Sequence, residues 1–431
     1  MERRAGSVFF ALRSTPYALR ACRFLSLTSI DANYEQLPLR IVHLIDYFQP
    51  ALGYQETFLA REQLRLGHEV TVVTSDRYAP LPNYASTVQP LLGERIRAPG
   101  QFIEADIPVW RLPVRFEQSY RCWLGGLAEA LAALRPDIIH AHNVIKFSTL
   151  QAVLLKPGLG YRLLVDDHQH PLDLNKGRAG TWFYRLFRVF LAPLFRRRID
   201  ALVAVTGEIA GVVRHIYGLN NPAVQVIELG VDTELFQPDE TARHMTRTKL
   251  GVNPPDFLVI YSGKIIPAKA VRWLVEALPH CPAQVKALLL GNPPIDYRRE
   301  LEELIAAFGL ADRVLFHPAV KQAELPCYYA AADAACWPRG VSIATLEVAA
   351  CALPLIIAAQ TLPERVSYDN GLEYEEGNVA ALAGCLTQLA QNPEQARQMG
   401  LRGRQMVEEN HSWTEINRQF MAAYQQSAHY K

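Results

Sequence analysis

Short apolar runs alternate with stretches of helical period along the chain from residue 39 onward. Residues 40–45 are predicted to form a first buried strand, residues 56–66 a helix that ends at Gly67, and residues 69–74 a second strand. The same pattern predicts further strands at residues 137–140, 162–165, 201–205 and 224–227. Near-continuous apolar strands separated by helices are typical of a parallel sheet covered on both faces, so the first half is predicted to be doubly wound.

The alternation is interrupted and then starts again. Turn-forming residues occur at 220–222, 237–239 and 251–255. Beyond them, strands are predicted at residues 257–261, 286–291, 313–316, 333–337 and 354–358, with helices from residue 271 and at residues 298–308 and 344–351. The predicted fold class is α/β, with two doubly wound parallel-sheet units in series. Such sheets bind ligands at the carboxyl ends of their strands, so the site is expected in the cleft between the units.

The composition is that of a folded globular protein without a strong overall charge. The chain has 431 residues, 50% of them hydrophobic, with 44 Lys and Arg against 43 Asp and Glu. This length predicts two or three domains, and the balance gives no general argument for a nucleic-acid partner. The balance conceals an asymmetry, because residues 1–220 contain 26 basic and 19 acidic residues whereas residues 221–431 contain 18 and 24.

Neither membrane spans nor disulfides are expected from the sequence. The longest apolar runs fall far short of the roughly 20 residues that cross a bilayer. The seven cysteines are dispersed and never spaced C-x-x-C, which argues against a disulfide framework and a thiolate zinc site. We therefore expect a cytoplasmic protein. The Arg-rich residues 1–38 resemble a targeting segment only loosely, and a plain N-terminal extension is the favoured interpretation.

Residues at two predicted strand ends are suited to binding a phosphate and a ribose. Gly263 permits close backbone approach, and Lys264 and Lys269 could converge on one anion such as a phosphate. A strand gives way to a helix near Ser342, where backbone N–H groups and the helix dipole attract anions and Ser342 is a suitable N-cap. Glu347, about one turn into that helix, could accept hydrogen bonds from a ribose diol. Solvated surface lysines and an ordinary helix carboxylate are the alternative interpretations.

Two H-x-H pairs follow predicted strands, His140 with His142 and His168 with His170. Imidazole is a common metal ligand and Asp167 could join it, so a metal-dependent hydrolase is one interpretation. Histidines that bind sugar or phosphate at strand ends, or structural ones, are the favoured interpretation. The chain contains no D-x-D pair, the usual carboxylate pair for a divalent ion that bridges a nucleotide diphosphate, and no metal is expected.

In order and spacing these motifs resemble the family 4 retaining glycosyltransferases, which have the GT-B fold of two facing Rossmann-like domains. The resemblance runs from about residue 39 to the end of the chain. It is carried by LGYQE (52–56), GHEV (67–70), PDIIHAH (136–142), DDH (166–168), LGVD (229–232), GKIIPAK (263–269), LLG (289–291), RGVSIATLE (339–347), AACALP (349–354), LPE (362–364) and NG (370–371).

The resemblance implies a domain organisation and an activity. After the extension at residues 1–38, an acceptor domain is expected at 39–220, a nucleotide-sugar donor domain at 221–410, and a C-terminal helix at 411–431 that crosses back to the first domain. The implied activity is transfer of a sugar from a nucleotide-diphosphate donor to a glycan or lipid-linked acceptor, with retention of configuration and without a cofactor. Retention through a carboxylate nucleophile and same-face displacement, in which the departing phosphate takes the acceptor's proton, both stay open.

The same resemblance assigns roles to individual positions. His168 corresponds to the family's histidine beside the donor sugar, Lys264 and Lys269 would neutralise the diphosphate, and Glu347 would bind the ribose hydroxyls. These four residues form the predicted catalytic set. The predicted donor-binding residues are Gly53, Gly263, Gly291, Val320, Arg339, Gly340, Ser342, Ile343 and Ala344. The predicted acceptor-side residues are Glu56, His142 and Asp167.

Several positions depart from the family pattern. Arg339 stands where the first Glu of the E-x7-E motif is expected, and Leu229 replaces the usual Asn. A guanidinium only donates hydrogen bonds and prefers anions, whereas a Glu accepts them from sugar hydroxyls. The change predicts either a donor sugar that is recognised differently, such as an acidic one, or a weakened activity. A GT-B subunit that has lost catalysis and acts as a binding partner is therefore the second interpretation.

Residues 176–198 combine seven Lys and Arg residues with six aromatic residues and contain no acid. A basic aromatic segment of this kind can lie on anionic lipid headgroups, which would suit a lipid-linked acceptor. It would place the protein peripherally at the inner face of the cell membrane. The alternative is a core helix with a solvated basic face, whose period Pro193 interrupts.

Overall fold

The computed structural model describes residues 38–81, 84–169, 174, 177–340, 342–359 and 363–426. The first half of the described chain is built on an eight-stranded sheet. The strands of this half are β1 (Arg40–Leu44), β2 (Glu69–Ser75), β3 (Gly100–Glu104), β4 (Ile107–Leu112), β5 (Val114–Gln118), β6 (Arg121–Leu124), β7 (Ile138–His142), β8 (Arg162–Asp167), β9 (Ala201–Ala204) and β10 (Val224–Val226). The sheet has the order β10-β9-β8-β7-β1-β2-β4-β3, with β3 antiparallel and the other neighbours parallel. Strands β5 and β6 form a separate hairpin.

The second half is built on a six-stranded sheet whose neighbouring strands are all parallel. Its strands are β11 (Phe257–Ser262), β12 (Val285–Leu290), β13 (Val314–His317), β14 (Ala334–Trp337), β15 (Leu355–Ala358) and β16 (Gly371–Tyr374). They follow the order β13-β12-β11-β14-β15-β16. Two parallel-sheet units in series are the architecture that the alternation of apolar runs predicts, because parallel strands are buried on both faces.

Helices cover both sheets. They are α1 (Gln55–Arg65), α2 (Tyr84–Thr87), α3 (Gln89–Leu92), α4 (Leu127–Leu134), α5 (Phe147–Leu159), α6 (Arg178–Leu186), α7 (Ala192–Arg198), α8 (Gly207–Gly211), α9 (Glu240–Leu250), α10 (Val271–Ala277), α11 (Ile295–Ala307), α12 (Leu325–Ala331), α13 (Ala344–Ala350), α14 (Val379–Gln391), α15 (Pro393–Asn410) and α16 (Trp413–Gln426). Thr206, Asp239 and Asn378 cap α8, α9 and α14, each by accepting a hydrogen bond from the backbone N–H three residues on.

The structure differs from the sequence-based expectations in the middle of the first half. Strands β3 to β6 and, in the second half, β16 have no predicted counterpart. Exposed positions interrupt the apolar runs of β3, β5, β6 and β16, and Pro108 and Arg111 interrupt that of β4. The domain boundary expected at residue 220 also differs from the extent of the sheet. Strand β10 pairs with β9, so the first sheet continues to Val226.

The two faces of the first sheet pack against different helices. Because successive residues of a strand point to opposite faces, Val42 and Leu44 of β1 enter a core with α4, α5 and α8, whereas Ile41 faces α1 and α16. Helix α16 follows α15 of the second half but buries Phe420 and Tyr424 against the first sheet. At its start, Trp413 stacks on the Phe58 ring of α1. The chain therefore returns to its first half at the C-terminus.

The described part of the chain contains no helix that is both long and apolar enough to cross a membrane. Of the extension predicted for residues 1–38, only Pro38 is among the described residues. Pro38 and Leu39 lead directly into β1.

Two helical glycines of the second half provide a test of the packing. A Cβ on Gly400 of α15 would lie 1.8 Å from the Ala352 carbonyl oxygen, whereas Gly384 of α14 is exposed and faces open space. Gly400→Ala is expected to lower the free energy of unfolding by about 1–3 kcal/mol through overpacking. Gly384→Ala is expected to raise it by up to about 1 kcal/mol through helix propensity. Urea denaturation measures both, and equal effects of the two substitutions would contradict the close approach of α15 to Ala352.

Candidate functional site

A cavity of about 400 Å³ lies at the carboxyl ends of the strands, with walls from both halves of the chain. The first half contributes the loops after β1, β7 and β8 and the start of α1. Six of the predicted site residues line the cavity: Gly53, Glu56, His142, His168, Ile343 and Glu347. Lining residues that the sequence analysis did not predict include Asp46, Tyr47, Gln49, Gln55, Asn143, Lys146, Gln322 and Trp413. The structure therefore assembles part of the predicted set in one place.

Asp166, at the end of β8, organises the histidines of the first half. One of its carboxylate oxygens, Oδ2, lies 3.1 Å from His140 Nε2, 2.9 Å from His142 Nδ1 and 3.2 Å from His168 Nε2. Burial by itself raises the pKa of Asp166, but the three imidazoles outweigh burial and hold this pKa well below its usual range. Burial likewise lowers the pKa of His168, and the Asp166 carboxylate more than offsets this and raises it. His168 thus enters the cavity wall as one half of an ion pair.

Asn143 joins the loops after β7 and β8. It adopts a left-handed backbone conformation with φ of 70°, which Asn tolerates better than most residues. Its backbone N–H donates to Asp166 Oδ1 (3.2 Å), and its side-chain Oδ1 accepts from the His168 backbone N–H (3.2 Å). Asn143 therefore positions both members of the ion pair. No motif pointed to it, although an Asn directly after a strand is a common turn residue.

Asp167, predicted for the acceptor side, is not among the residues that line the cavity. Its carboxylate accepts hydrogen bonds from the backbone N–H groups of Val144 and Gln169, both at 2.9 Å. Burial raises the pKa of Asp167 to about 6 in spite of these bonds. The side chain thus points to the opposite face of β8 from Asp166 and ties two loops together.

Glu56, in the first turn of α1, and Gly53, two residues before this helix, lie at the cavity wall. Glu56 is buried, its Oε1 has no hydrogen-bond partner among the described residues, and burial raises its pKa. Gly53 adopts φ of 66°, and a Cβ there would lie 2.1 Å from Gln322 Oε1. The carboxamide of Gln322, which comes from the second half, therefore lies directly against Gly53. A glycine at position 53 leaves the space that this side chain occupies.

Glu347 on α13 forms the facing wall. Its Oε2 accepts a hydrogen bond from Tyr329 Oη (3.1 Å), and its Oε1 lies 3.4 Å from Gln322 Nε2. Tyr329 Oη is in turn 3.0 Å from Ser262 Oγ. Burial raises the pKa of Glu347 to about 7, and the two hydrogen bonds offset burial only in part. Glu347 and Gln322 together link the second half to the Gly53 turn.

The predicted phosphate-binding residues lie outside the cavity wall. Gly263 and Gly291 directly follow the neighbouring strands β11 and β12, and a Cβ on Gly291 would lie 2.2 Å from the Gly263 carbonyl oxygen. Lys264 is exposed, and the Lys269 ammonium lies near the Gly340 turn, 3.3 Å from where a Cβ would be. Val320 is half-buried against the core of the second sheet. Lys269 and Gly340 are thus brought together, as are Gly263 and Gly291.

Arg339 is exposed and is held against its own half of the chain. Its Nε donates to Glu376 Oε1 (2.7 Å), and its guanidinium lies 4.7 Å from the centroid of the Trp273 ring. Arg339 is not among the cavity-lining residues. A contact between this side chain and a donor sugar therefore stays a prediction.

Ser342 does not cap α13, which corrects the expectation from the sequence. The residue at the N-cap position is Ile343, and no side chain caps this helix end. The Ser342 carbonyl instead accepts hydrogen bonds from the backbone N–H and the hydroxyl of Thr345. A tight turn with i to i+3 bonds precedes α13 and displaces Ser342 from the cap position. Ser342 is exposed and Ala344 is half-buried, and neither lines the cavity.

Within the described part of the chain, two groups of side chains have ligand atoms within 4.8 Å of one another, as a metal site requires: His43, His140 and His142 in one, and His142, Asp166 and His168 in the other. Both ring nitrogens of His43, His140 and His142 already take part in hydrogen bonds. This pairing favours a hydrogen-bonded network over a metal centre. His170, the last member of the second H-x-H pair, lies outside the described residues.

Solved structures with the same arrangement define the class of fold. The chain superposes on Anabaena HepE in complex with UDP with a TM-score of 0.67 at 19% identity, covering 90% of this chain and 99% of that one. It superposes on the sucrose-phosphate synthase of Thermosynechococcus elongatus with a TM-score of 0.65 at 20% identity, covering 90% and 98%. The protein has the GT-B fold, in which two Rossmann-like domains face each other across a cleft.

The family follows from the sequence comparisons. The model of "Glycosyltransferase Family 4" matches residues 57–235, and that of "Glycosyl transferases group 1" matches residues 256–392. The chain belongs to the family 4 glycosyltransferases, as its motifs indicate.

Two curated relatives illustrate the range of similarity. The D-inositol 3-phosphate glycosyltransferase of Xylanimonas cellulosilytica is 32% identical over 55% of this chain and 54% of its own length. The MMP alpha-(1->4)-mannosyltransferase of Mycolicibacterium hassiacum is 25% identical over 87% of this chain and 94% of its own length. The chain therefore spans about half of the first relative and nearly all of the second.

The buried carboxyl group of Glu347 predicts a pH-dependent effect on stability. Its pKa is about 7 in the folded protein against an ordinary 4.5, so the folded state keeps a proton that the unfolded state releases. The free energy of unfolding is therefore reduced as pH rises from about 4.5 to about 7, and Glu347→Gln removes this loss. Relative to the wild type, Glu347→Gln should gain on the order of 2 kcal/mol between pH 5 and pH 8.

Urea denaturation at the two pH values measures this gain. Glu324→Gln, which neutralises an exposed carboxyl group in the turn before α12, is the matched control and should show no such dependence. A gain for Glu347→Gln that is the same at both pH values would contradict the raised pKa.

Proposed function

We propose that the protein is a retaining glycosyltransferase that moves a sugar from a nucleotide-diphosphate donor to an acceptor bound by the first half of the chain. One observation carries the proposal: the cavity has His168, whose Nε2 lies 3.2 Å from the buried Asp166 carboxylate, on one wall and Glu347 on the other, so groups of both halves can act on one substrate. A GT-B site divided in this way suits a donor whose nucleotide and sugar are bound by different walls.

Lys264, Lys269 and the start of α13 neutralise the donor diphosphate in this proposal. Negative charge builds on the distal phosphate as the glycosidic bond breaks, and fixed cations stabilise it without a metal ion. Glu347 accepts hydrogen bonds from the ribose hydroxyls. Anabaena HepE has been crystallised with UDP and with UDP-glucose, and one relative from Mycolicibacterium smegmatis is named GDP-mannose-dependent. Uridine and guanosine donors are therefore the first to test.

His168 orients the donor sugar. Its Nε2 is held by Asp166, so we assign Nδ1 to a sugar hydroxyl. The Asp166 carboxylate raises the pKa of His168 and so favours the form in which Nδ1 is a donor. A positive imidazole also stabilises charge on the neighbouring phosphate. Both a carboxylate nucleophile and a same-face displacement by the acceptor are compatible with these roles.

The acceptor is a glycan or a lipid-linked molecule in this proposal. Relatives are named for transfer to inositol 3-phosphate and to phosphatidylinositol monomannoside. Both names contain an inositol that carries a phosphate. The excess of basic residues in the first half fits an anionic acceptor of this kind.

Incubation of the purified protein with UDP-glucose, UDP-glucuronate, GDP-mannose and ADP-glucose tests the proposal, with release of free nucleotide as the readout. We expect turnover of at least one donor, undiminished by EDTA. Binding of UDP or GDP by calorimetry without turnover of any donor would instead support the catalytically degenerate subunit. Loss of turnover on EDTA treatment would contradict the metal-free scheme.

Variants then test the individual roles with the active donor. His168→Ala should lower kcat about 100-fold, and Lys269→Ala should weaken nucleotide binding and lower kcat/KM by a similar factor, because each removes a charge that faces the developing phosphate. Lys249→Ala, at an exposed lysine of α9 in the same half as Lys269, is the matched control. Equal, small effects in all three variants would contradict the assigned site.

We further propose that the segment from α6 to α7 contacts an anionic membrane surface. Trp182, Val189 and Phe190 are exposed by 60%, 58% and 68%, and the Arg185 guanidinium lies over the Trp182 ring. Other aromatic residues of the segment, Phe187 and Phe195, are buried in the core, as the alternative interpretation of this segment requires. Lys176 lies outside the described residues. Exposed rings beside cations suit the headgroup region of a bilayer.

Co-sedimentation with phosphatidylglycerol vesicles tests this contact. The double variant Trp182→Ser with Phe190→Ser should reduce the bound fraction several-fold, because it removes the two most exposed rings of the segment. Ile295→Ser, at an apolar residue that is 86% exposed in the second half, is the matched control and should bind like the wild type. Binding that is unaffected by the double variant, or equal on neutral vesicles, would contradict the proposal.

A further inference from the structure

A polar cluster lies on the buried face of the first sheet beneath α16. Strand register places it there: His43 of β1 is the pairing partner of His140 on β7, and His142 is the pairing partner of Asp166 on β8. Since His140 and His142 are two residues apart, all four side chains point to the same face. Each of them is at most 1% exposed. Such a cluster is costly to bury unless every polar atom finds a partner.

The cluster closes into a ring of hydrogen bonds with two helical residues, Gln63 of α1 and Tyr424 of α16. Around the ring the bonds are Asp166 Oδ2 to His142 Nδ1 (2.9 Å), His142 Nε2 to His43 Nδ1 (3.1 Å), His43 Nε2 to Gln63 Oε1 (2.9 Å), Gln63 Nε2 to Tyr424 Oη (3.3 Å), Tyr424 Oη to His140 Nδ1 (2.9 Å) and His140 Nε2 to Asp166 Oδ2 (3.1 Å). The ring therefore contains six members and six bonds.

The neutral members of the ring supply one hydrogen-bond donor fewer than the ring has bonds. A neutral imidazole, an amide and a phenol each donate one hydrogen bond along the ring, and an ionised carboxylate donates none. Five neutral members therefore supply five donors for the six bonds. Reversing the Gln63 amide does not change this count. The closed ring needs one extra proton beside the Asp166 carboxylate.

The surroundings indicate where this proton lies. Burial, reinforced by the neighbouring imidazoles, lowers the pKa of His43 and His140, so these two rings stay neutral. His142 lies between Asp166 and His43, where its two nitrogens face a carboxylate and a lone pair. The other ionisable groups facing the cluster are Glu56 of α1 and His168.

We propose that His140, Gln63 and Tyr424 are positioning residues that close this ring, store one proton on His142 and thereby fix Asp166 toward His168. The inference rests on the proposed function only for the role of His168 in orienting the donor sugar. Tyr424 acts through His140 and Asp166 and touches no substrate in this scheme. Helix α16 thus contributes to the donor site from the far end of the chain.

Opening the ring removes the need for the extra proton. Without the Tyr424 hydroxyl four bonds remain. Once the Gln63 amide, released from Tyr424, reverses so that its Nε2 faces His43, four neutral donors satisfy these bonds: His142 and His140 to Asp166, His43 to His142, and Gln63 Nε2 to His43. The variant Tyr424→Phe keeps the ring that packs in the core and removes only the hydroxyl. It should therefore leave His142 neutral.

Histidine-selective ¹⁵N and ¹³C NMR of the full chain without ligand tests this directly. A doubly protonated His168 is identified by the absence of its signal from His168→Gln. In the wild type we expect a further doubly protonated imidazole at pH 8, assigned to His142 by its absence from His142→Gln. Tyr424→Phe should lose this signal. Tyr161→Phe is the matched control, because it removes a buried hydroxyl that donates only to the Ala152 carbonyl, and it should keep the signal.

Gln63→Met opens the ring at a second point and should give the same result if Tyr424→Phe fails to fold. Absence of the doubly protonated His142 signal in the wild type, or its persistence after either opening, would overturn the proposal. So would stoichiometric zinc in the purified protein, since a metal would replace the proton. The NMR spectra and the metal content are measured without turnover. A negative result would therefore overturn this proposal without contradicting the proposed function.

Kinetics distinguish positioning from simple structural support. With a donor on which the wild type is active, Tyr424→Phe should lower kcat about tenfold, because a displaced His168 orients the sugar less well. KM for the donor should change less than twofold, since the nucleotide contacts lie in the other half. An equal loss in Tyr161→Phe would show that the effect is merely structural.

Discussion

The arrangement of the first half depends on one buried carboxylate, that of Asp166. A carboxylate that is buried away from water must find its hydrogen-bond donors within the protein. Its side chain is fully buried, and imidazoles from β7 and from the loop after β8 converge on one of its oxygens. The register of β7 against β8, the left-handed turn at Asn143 and the position of α16 all provide for this one group. Because its partners come from several elements, the carboxylate couples their positions.

The two halves contribute different chemistry to the cleft. The first half presents an ion pair that is held from behind by a hydrogen-bonded network, whereas the second half presents the largely uncompensated carboxyl of Glu347. Gln322 bridges the two, between Glu347 and the Gly53 turn. A site shared by two sheets allows each wall of the cleft to be adapted independently.

The sequence predicted the structure well where a residue type has the same physical role in most surroundings. Apolar runs predicted the parallel strands other than β4 and β16, and motifs near the strand ends predicted six residues that line the cavity. The sequence predicted less where the role of a side chain depends on its neighbours in the folded protein. Arg339 was recognised as a departure from the family pattern, but its ion pair with Glu376 and its contact with Trp273 involve residues 37 positions downstream and on a separate helix. Serine is a common helix-capping residue, yet the tight turn before α13 displaces Ser342 from the N-cap position.

By itself, the sequence determined the two doubly wound units, the cleft at their strand ends and the family to which the chain belongs, because these follow from local periodicity and from motifs of fixed spacing. Only the tertiary structure decided which polar groups meet. His140 and Tyr424 are 284 residues apart, and Gln63 and Tyr424 are 361 residues apart, yet they belong to one ring. Hydrogen bonds depend on ångström-scale placement, which strand register and helix packing set and which no local pattern contains.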